Sequence, residues 1–206
     1  MSRVAVVHLD ESCLGNGREG ENPGGAGGLI EVRSGRRNQR RDFYVHAPHT
    51  TNNRMALLGA ITALQLLAAK GNRLRVLMVS DSEYLVKGMR EWVPGWVARR
   101  WTRKAGPIEN LVLWQELVDA ARLHDVQWTW VRGHARHPKN EYVDGLAVAA
   151  AREQKTSAGA VESGFLEWLA ARQARGLYPG YDSDAEFERL ERRMAAGESF
   201  ALAEGA

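Results

Sequence analysis

The order of the segments that favour strands and helices is the feature that most constrains the fold. Three stretches rich in apolar and β-branched residues come first, at 4–9, 26–32 and 42–47, as in an antiparallel meander. Two further apolar stretches, at 74–80 and 126–131, alternate with helical segments. The resulting order, β-β-β-α-β-α-α-β-α, predicts an α/β domain with a five-stranded mixed sheet flanked by helices.

Capping signals locate the helices. The run TTNN at 50–53 offers short polar side chains for a helix start, and the Ala- and Leu-rich segment that follows stops at Gly71. The same reasoning predicts further helices at 82–89, 108–123 and 139–152. Residues 154–160 have the composition of a linker, and 161–206 are predicted to form a helical C-terminal extension with helices at 162–175 and 184–195. This extension is either a structural cap on the domain or a surface for a partner.

Composition and the absence of long apolar stretches in the sequence predict where the protein is located in the cell. The single cysteine, Cys13, cannot form an internal disulfide, which favours a reducing, cytoplasmic location. The N-terminal residues lack the pattern of a secretory signal, and no apolar stretch approaches the length that spans a bilayer. We therefore expect a cytoplasmic monomer with no membrane partner.

Positive charge is concentrated in two places although the formal net charge is only +3. Residues 87–104 carry six basic residues, one acid and three tryptophans, a pattern that indicates a nucleic-acid surface. The arginines between 33 and 41 are predicted to lie at the tip of a hairpin, where a solvated charged surface is the favoured interpretation.

Three aspartates stand at positions suited to metal chemistry. Asp10 ends the first predicted strand, Asp81 ends the fourth, and Asp144 lies in the last core helix. Strand ends are where open α/β sheets gather functional side chains, and Mg²⁺ prefers oxygen ligands. Each aspartate alone is more often a cap or a turn residue, so the flanking residues decide the interpretation.

The flanking residues form motifs that resemble those of the bacterial type I ribonuclease H family. The matching segments occur in order from about residue 4 to 152: DESCLGN at 10–16 with PGGAG at 23–27, TNNRM at 51–55, SDSEY at 80–84, PIENLVLWQ at 107–115, and WVRGHARHPKNE at 130–141 followed by Asp144. The resemblance implies a ribonuclease H-like domain over 1–153. It also implies an endonuclease that hydrolyses the RNA strand of RNA–DNA hybrids with two Mg²⁺ ions, Mn²⁺ being a possible substitute.

The resemblance also implies roles for individual residues. Asp10, Asp81 and Asp144 would be metal ligands, and His134 would help the product leave or accept a proton near the scissile phosphate. The expected substrate contacts are Cys13, Asn16 and Asn53 in the minor groove, Thr51 and Asn110 on a DNA-strand phosphate, and Trp92, Trp96 and Trp101 on the DNA sugar face. Contacts in the wide minor groove of an A-like hybrid can distinguish RNA from DNA through the 2′-hydroxyls.

Three positions depart from the family pattern. Ala56 stands where the family carries a catalytic glutamate that ligates metal, as an engineered or a natural substitution. Glu11 replaces the usual glycine. Because successive strand side chains point to opposite faces, it is expected to face away from Asp10 unless a bulge re-aims it. Glu83 replaces a glutamine and would bring negative charge close to the polyanion.

Ala56 therefore predicts a chain that binds the hybrid but cleaves it poorly with Mg²⁺, since a methyl group cannot ligate metal. Replacing Ala56 with glutamate should increase cleavage of a labelled hybrid, and no gain would contradict this prediction. The alternatives are a catalytically silent hybrid-binding module and, less in keeping with the motifs at 87–104 and 130–141, a relative of the transposases and integrases.

Overall fold

A computed structural model describes residues 3–15, 22–35, 37–133 and 137–200. The strands are β1 (Val4–Cys13), β2 (Gly24–Ser34), β3 (Arg37–Ala47), β4 (Arg75–Ser80), β5 (Asp125–Trp130) and β6 (Val161–Glu162). The helices are α1 (Asn52–Ala68), α2 (Glu83–Lys87), α3 (Val93–Ala98), α4 (Leu111–Arg122), α5 (Pro138–Glu153), α6 (Phe165–Gln173) and α7 (Ser183–Ala195), with a π-helical turn over Gly88–Trp92. Among these helices, none is both long and apolar enough to cross a membrane.

The strands form one mixed sheet in the order β5-β4-β1-β2-β3-β6. β1 pairs with β4, and β4 with β5, in parallel, whereas the other neighbours are antiparallel. The α/β class and the mixed sheet are thus confirmed, but the described sheet has six strands rather than five. The additional strand, β6, contributes two residues paired with Arg41 and Asp42, too short a segment to leave a periodic signal in the sequence.

The alternation of side chains along β1 separates two helical layers. Ala5, Val7 and Leu9 pack in the core cluster formed with α1 and α4. Val4 and Val6 belong to a second cluster with buried residues of α7. Helices thus cover both faces of the sheet, and each even-numbered side chain of β1 points to the face of α7.

The arginine-rich hairpin differs from the prediction. β2 continues to Ser34 and β3 begins at Arg37, so most of these arginines lie in paired strands rather than in a turn. Arg33 forms an ion pair with Glu191 of α7 at 2.8 Å. Arg40 is almost fully buried between the sheet and Asp184 of α7, at 2.5 Å from the carboxylate. The interpretation as a solvated surface is wrong for Arg33 and Arg40, because the acidic side chains of α7 cover them.

The first part of the extension is anchored on a buried aspartate. Asp42 accepts hydrogen bonds from the hydroxyl of Tyr142 on α5 and from the backbone N–H of Gly164, at 2.5 and 3.1 Å. Phe165 is fully buried and packs edge-on against Tyr142. The start of the extension therefore packs on the domain, as the interpretation of a structural cap requires.

Glycines in β2 allow α5 to lie very close to the sheet. A Cβ atom at Gly27 would lie 2.6 Å from the backbone oxygen of Val143, and one at Gly25 would lie 2.2 Å from that of Ala147. Both distances are shorter than any van der Waals contact. The position of α5 relative to the strand ends therefore depends on the absence of side chains at these two positions.

Replacing Gly27 with alanine should destabilise the protein by roughly 1 to 3 kcal/mol, because the backbone of α5 cannot yield as a flexible side chain would. Gly145→Ala, on α5 itself, is a matched control. Its added methyl group meets nothing within 4 Å, and it should stabilise the helix by about 1 kcal/mol. Urea unfolding of both variants measures the difference. Equal effects of the two changes would contradict the close-packing argument.

Candidate active site

Three carboxylates meet at the end of the parallel strands. β4 ends at Ser80, opposite Leu9 of β1, so Asp10 and Glu11 extend beyond it. Asp81 is the next residue after β4. One carboxylate oxygen from each of Asp10, Glu11 and Asp81 lies within 4.8 Å of the other two. Oxygen donors at this spacing can share a divalent cation.

The position of Glu11 corrects the expectation from strand alternation. The β1–β2 register runs without a bulge, and Glu11 stands opposite Ala26. Its side chain leaves the strand on the α1 side, two residues after Leu9, and Leu9 packs in the same core cluster as Ala56. The carboxylate nevertheless reaches Asp81, because β4 has already ended and the long side chain can bend around the open edge.

Glu11 leaves β1 on the side of the sheet that faces α1 and Ala56. Ala56 is only 3% exposed and presents a methyl group where the family carries a carboxylate on α1. Glu11 approaches the cluster from that same side of the sheet. Strand alternation was the argument against Glu11 replacing the carboxylate that is missing at position 56. The same alternation places Glu11 on the side of the sheet from which the family's glutamate would come.

The pKa values of Asp10 and Glu11 reflect burial and the negative charges of their neighbours. Burial, followed by the charges of Asp81 and Glu11, raises the pKa of Asp10 to about 8. Burial and the charge of Asp81 likewise raise the pKa of Glu11 to about 8, although a hydrogen bond from Ser82 opposes the shift. Neither Asp10 nor Glu11 forms an ion pair with any lysine or arginine in the described ranges. Buried acids repelling one another at such distances fit a site for divalent cations.

Helix α5 brings an amide to the cluster. Nδ2 of Asn140 donates to Oδ2 of Asp10 at 3.2 Å and to Oδ2 of Asp81 at 3.3 Å. Asp144 lies one helical turn later and is not part of the group within 4.8 Å, but its charge contributes to the raised pKa of Asp10. Asn140 was not singled out from the sequence; its spacing of four residues from Asp144, on one helix face, was the available signal.

A glycine after β5 keeps room for Asp81. A Cβ atom at Gly133 would lie 2.5 Å from Oδ2 of Asp81. The neighbouring residue His134, predicted to act on the product or on a proton, lies outside the described residues. Gly133 is therefore a second functional position that motif reasoning did not identify, because its role is spatial.

Two helix starts meet at the predicted phosphate site. Thr51 caps α1, and its side chain accepts the backbone N–H of Arg54 at 3.3 Å. Asn110 occupies the N-cap position of α4 with a left-handed φ of 55° but makes no side-chain cap hydrogen bond; its side-chain oxygen accepts from the Arg54 guanidinium at 3.4 Å. The structure thus brings the neighbourhoods of Thr51 and Asn110 together through Arg54, in an arrangement suited to an anion.

The predicted groove residues are only partly described. Cys13 is half-buried, and its thiol donates to the backbone oxygen of Thr50 at 3.4 Å. Asn53 is half-buried in the first turn of α1. Asn16, the third residue expected in the minor groove, lies outside the described residues.

The tryptophans form one aromatic cluster rather than three equivalent contacts. Trp96 is 8% exposed and packs edge-on against the buried Trp114, with ring centroids 5.7 Å apart. Trp92 and Trp101 flank Trp96 at 6.0 and 6.5 Å and remain half-buried. Trp96 therefore offers little surface to a ligand and supports Trp92 and Trp101, which are more exposed.

Glu83, which departs from the family pattern, pairs with Lys87 at 2.6 Å. Its negative charge is therefore largely neutralised within its own helix.

The sequence matches one protein family over most of its length. The RNase H family model matches residues 2–152. The chain belongs to the RNase H family. A ribonuclease H from Aromatoleum aromaticum is 45% identical over 159 residues, which is 75% of this chain and 96% of that protein. Ribonuclease HI from Caulobacter vibrioides is 40% identical over 155 residues, covering 74% and 96%.

One solved structure extends the similarity beyond the family domain. The crystal structure of LC9-RNase H1, a type 1 RNase H with the type 2 active-site motif, matches with a TM-score of 0.80 and 46% identity. The match covers 100% of this chain and 98% of that one. The predicted family and fold are confirmed, and the chain is an RNase H enzyme with RNA–DNA hybrids as its substrate class.

The repulsion within the cluster leads to a stability prediction. In metal-free buffer at about pH 9, Asp10→Asn should stabilise the protein by roughly 1 to 2 kcal/mol, because above its pKa of about 8 the unchanged Asp10 carries one of the buried like charges. Added Mg²⁺ should raise the Tm of the unchanged protein, because it binds only the folded state, and should barely affect the variant. Thermal unfolding followed by circular dichroism measures both. A variant that is less stable without metal would contradict the repulsion argument.

Proposed function

We propose that this chain is an endonuclease that hydrolyses the RNA strand of RNA–DNA hybrids and leaves 5′-phosphate and 3′-hydroxyl ends. Two Mg²⁺ ions, for which Mn²⁺ can substitute, would be held by Asp10, Glu11, Asp81 and Asp144. The observation that carries the proposal is the convergence of three carboxylates within 4.8 Å of one another. Bound divalent ions would neutralise the charge that develops on the attacking and leaving oxygens of the phosphate.

Glu11 takes the part of the missing glutamate in this proposal. Its carboxylate belongs to the cluster although Ala56 contributes none, and it arrives from the side of the sheet that faces α1. A relative that is similar along the whole chain is described as a type 1 RNase H with the type 2 active-site motif. This description favours a natural rearrangement of the active site over an engineered loss at position 56.

The remaining side chains position these ligands and the substrate. Asn140 donates to Asp10 and Asp81 together, so it fixes the distance between the two carboxylates before metal binds. His134 would act on the proton or the product at the scissile phosphate. Thr51 and Asn110 would hold a phosphate of the DNA strand at two helix N-termini, aided by Arg54, the charged residue between them.

The proposed grip on the hybrid uses neighbouring surfaces. Trp92 and Trp101 would contact the DNA sugar face, supported by the buried Trp96. Cys13 and Asn53, with Asn16, would lie along the minor groove. A surface of this kind reads the shape and the hydroxyls of the hybrid rather than its base sequence.

Substitution of Glu11 tests the assignment. Glu11→Gln should lower kcat for hybrid cleavage in Mg²⁺ by on the order of 100-fold or more, because it removes a ligand carboxylate. Hybrid affinity without metal, measured by fluorescence anisotropy, should stay nearly unchanged. Glu198→Gln is the matched control: Glu198 is an exposed acid that follows α7 and pairs with Arg193, and its loss should leave kcat unchanged.

The same assay with Ala56→Glu separates the competing interpretations. If the unchanged chain is inactive and Ala56→Glu activates it, then the impairment predicted from Ala56 is right and the role assigned to Glu11 is wrong. Hybrid binding without cleavage by any variant, in Mg²⁺ or Mn²⁺, would identify a silent binding module. Cleavage of duplex DNA would favour the transposase and integrase relationship.

A further inference from the structure

The C-terminal helix α7 reaches the region behind the active site through one acid. Oε1 of Glu186 lies 3.0 Å from Nε2 of His137, and Oε2 lies 3.0 Å from Nζ of Lys139. The hydroxyl of Tyr181 also donates to Glu186. His137 and Lys139 belong to the start of α5, the helix that carries Asn140 and Asp144. Glu186 is thus linked to the carboxylate cluster by three successive contacts, through His137 and Asn140.

The first contact leads to the cluster through the cap of α5. His137 is the N-cap residue of this helix, and its Nδ1 accepts the backbone N–H of Asn140 at 3.4 Å. The side chain of the same Asn140 donates to Asp10 and Asp81. The chain of contacts from Glu186 through His137 and Asn140 to the cluster is continuous.

The direction of these hydrogen bonds constrains the imidazole. Burial alone would raise the pKa of Glu186, but the hydrogen bond from His137 and the charge of Lys139 lower it well below its usual value. An ionised Glu186 can only accept, so Nε2 of His137 must donate to it. A neutral imidazole whose Nε2 carries the proton leaves Nδ1 as an acceptor, which is what the helix cap requires.

The second contact fixes the backbone of α5. Lys139 is fully buried, and its ammonium group lies 2.7 Å from Oε2 of Glu31 on β2 and 3.0 Å from Glu186. Glu31 in turn binds Arg40 at 2.9 Å. A buried ammonium group tolerates little displacement from its carboxylate partners, because an unpaired charge is costly away from water. The first turn of α5 is therefore held between the sheet and α7.

We propose that Glu186 is a positioning residue for the active site, acting through His137 to orient Asn140 toward Asp10 and Asp81. The C-terminal extension would then be part of the catalytic framework, in addition to covering the sheet. This inference rests on the proposed role of Asp10 and Asp81 as metal ligands. It assigns a function to a segment that lies outside the residues matched by the family model.

Kinetics of Glu186→Ala test the proposal, with Glu191→Gln as the matched control. Glu191 lies on the same helix but pairs with Arg33, away from α5. Glu186→Ala should lower kcat by roughly 10-fold or more, as loss of a partner behind a metal ligand does. Hybrid KM should stay within about twofold, since the grip is elsewhere. Glu191→Gln should leave both constants unchanged. Loss of kcat in both variants, or in neither, would overturn the proposal.

A spectroscopic readout keeps the test independent of activity. In the metal-free protein, the ¹⁵N signals of the His137 ring should show a protonated Nε2 and an unprotonated Nδ1. Glu186→Ala should disturb this pattern and shift both the backbone and the side-chain amide signals of Asn140, whereas Glu191→Gln should not. Unchanged signals in Glu186→Ala would refute the positioning role. Shifted signals in a protein that does not cleave the hybrid would instead place the failure in the proposed function.

Rescue through the cap gives a further check. Asparagine is a strong N-cap residue that needs no second partner to orient it. Adding His137→Asn to Glu186→Ala should therefore recover part of the lost kcat. Absence of any recovery, with the double variant folded by circular dichroism, would show that Glu186 does not act through the cap.

Discussion

Helix α5 lies so close to β2 that no side chain fits between them at positions 25 and 27. This close packing determines where Asn140 and Asp144 stand relative to the ends of β1 and β4. The chemistry of the site depends on that geometry, because side chains from a helix and from two strands must meet within a few ångströms. The close approach is in turn held by buried charge, with Lys139 between Glu31 and Glu186.

The active site is locally unfavourable for the fold. Burial and the neighbouring negative charges oppose the ionisation of Asp10 and Glu11, so packing elsewhere must stabilise a fold that this cluster disfavours. The aromatic cluster around Trp96 and the contacts of α7 with the start of α5 are part of this packing. Function is thus concentrated at one sheet edge, while the elements that support it are spread over the whole chain, including the C-terminal extension.

Much of the architecture was predictable from local patterns. Apolar periodicity and capping signals gave most of the core strands and helices to within a few residues, because these signals act over one or two turns. They did not predict α3, which contains Pro94 in its first turn, where a proline is tolerated. β6 was missed because two residues carry no period. The strand character of the arginine hairpin was missed because its support comes from α7, about 150 residues later: Arg33 and Arg40 are stable in paired strands where Glu191 and Asp184 neutralise them.

The sequence by itself determined the RNase H family, the order of the elements and the identity of the acidic residues, since these are properties of motifs along the chain. Only the tertiary structure decided which acids meet. Alternation along β1 correctly places the side chains of Asp10 and Glu11 on opposite faces of the sheet. It cannot show that the pairing of β4 with β1 ends at Leu9, which opens the edge around which Glu11 bends. Nor can any local pattern connect Glu186 to Asn140, because that connection exists only once α7 has folded back against α5.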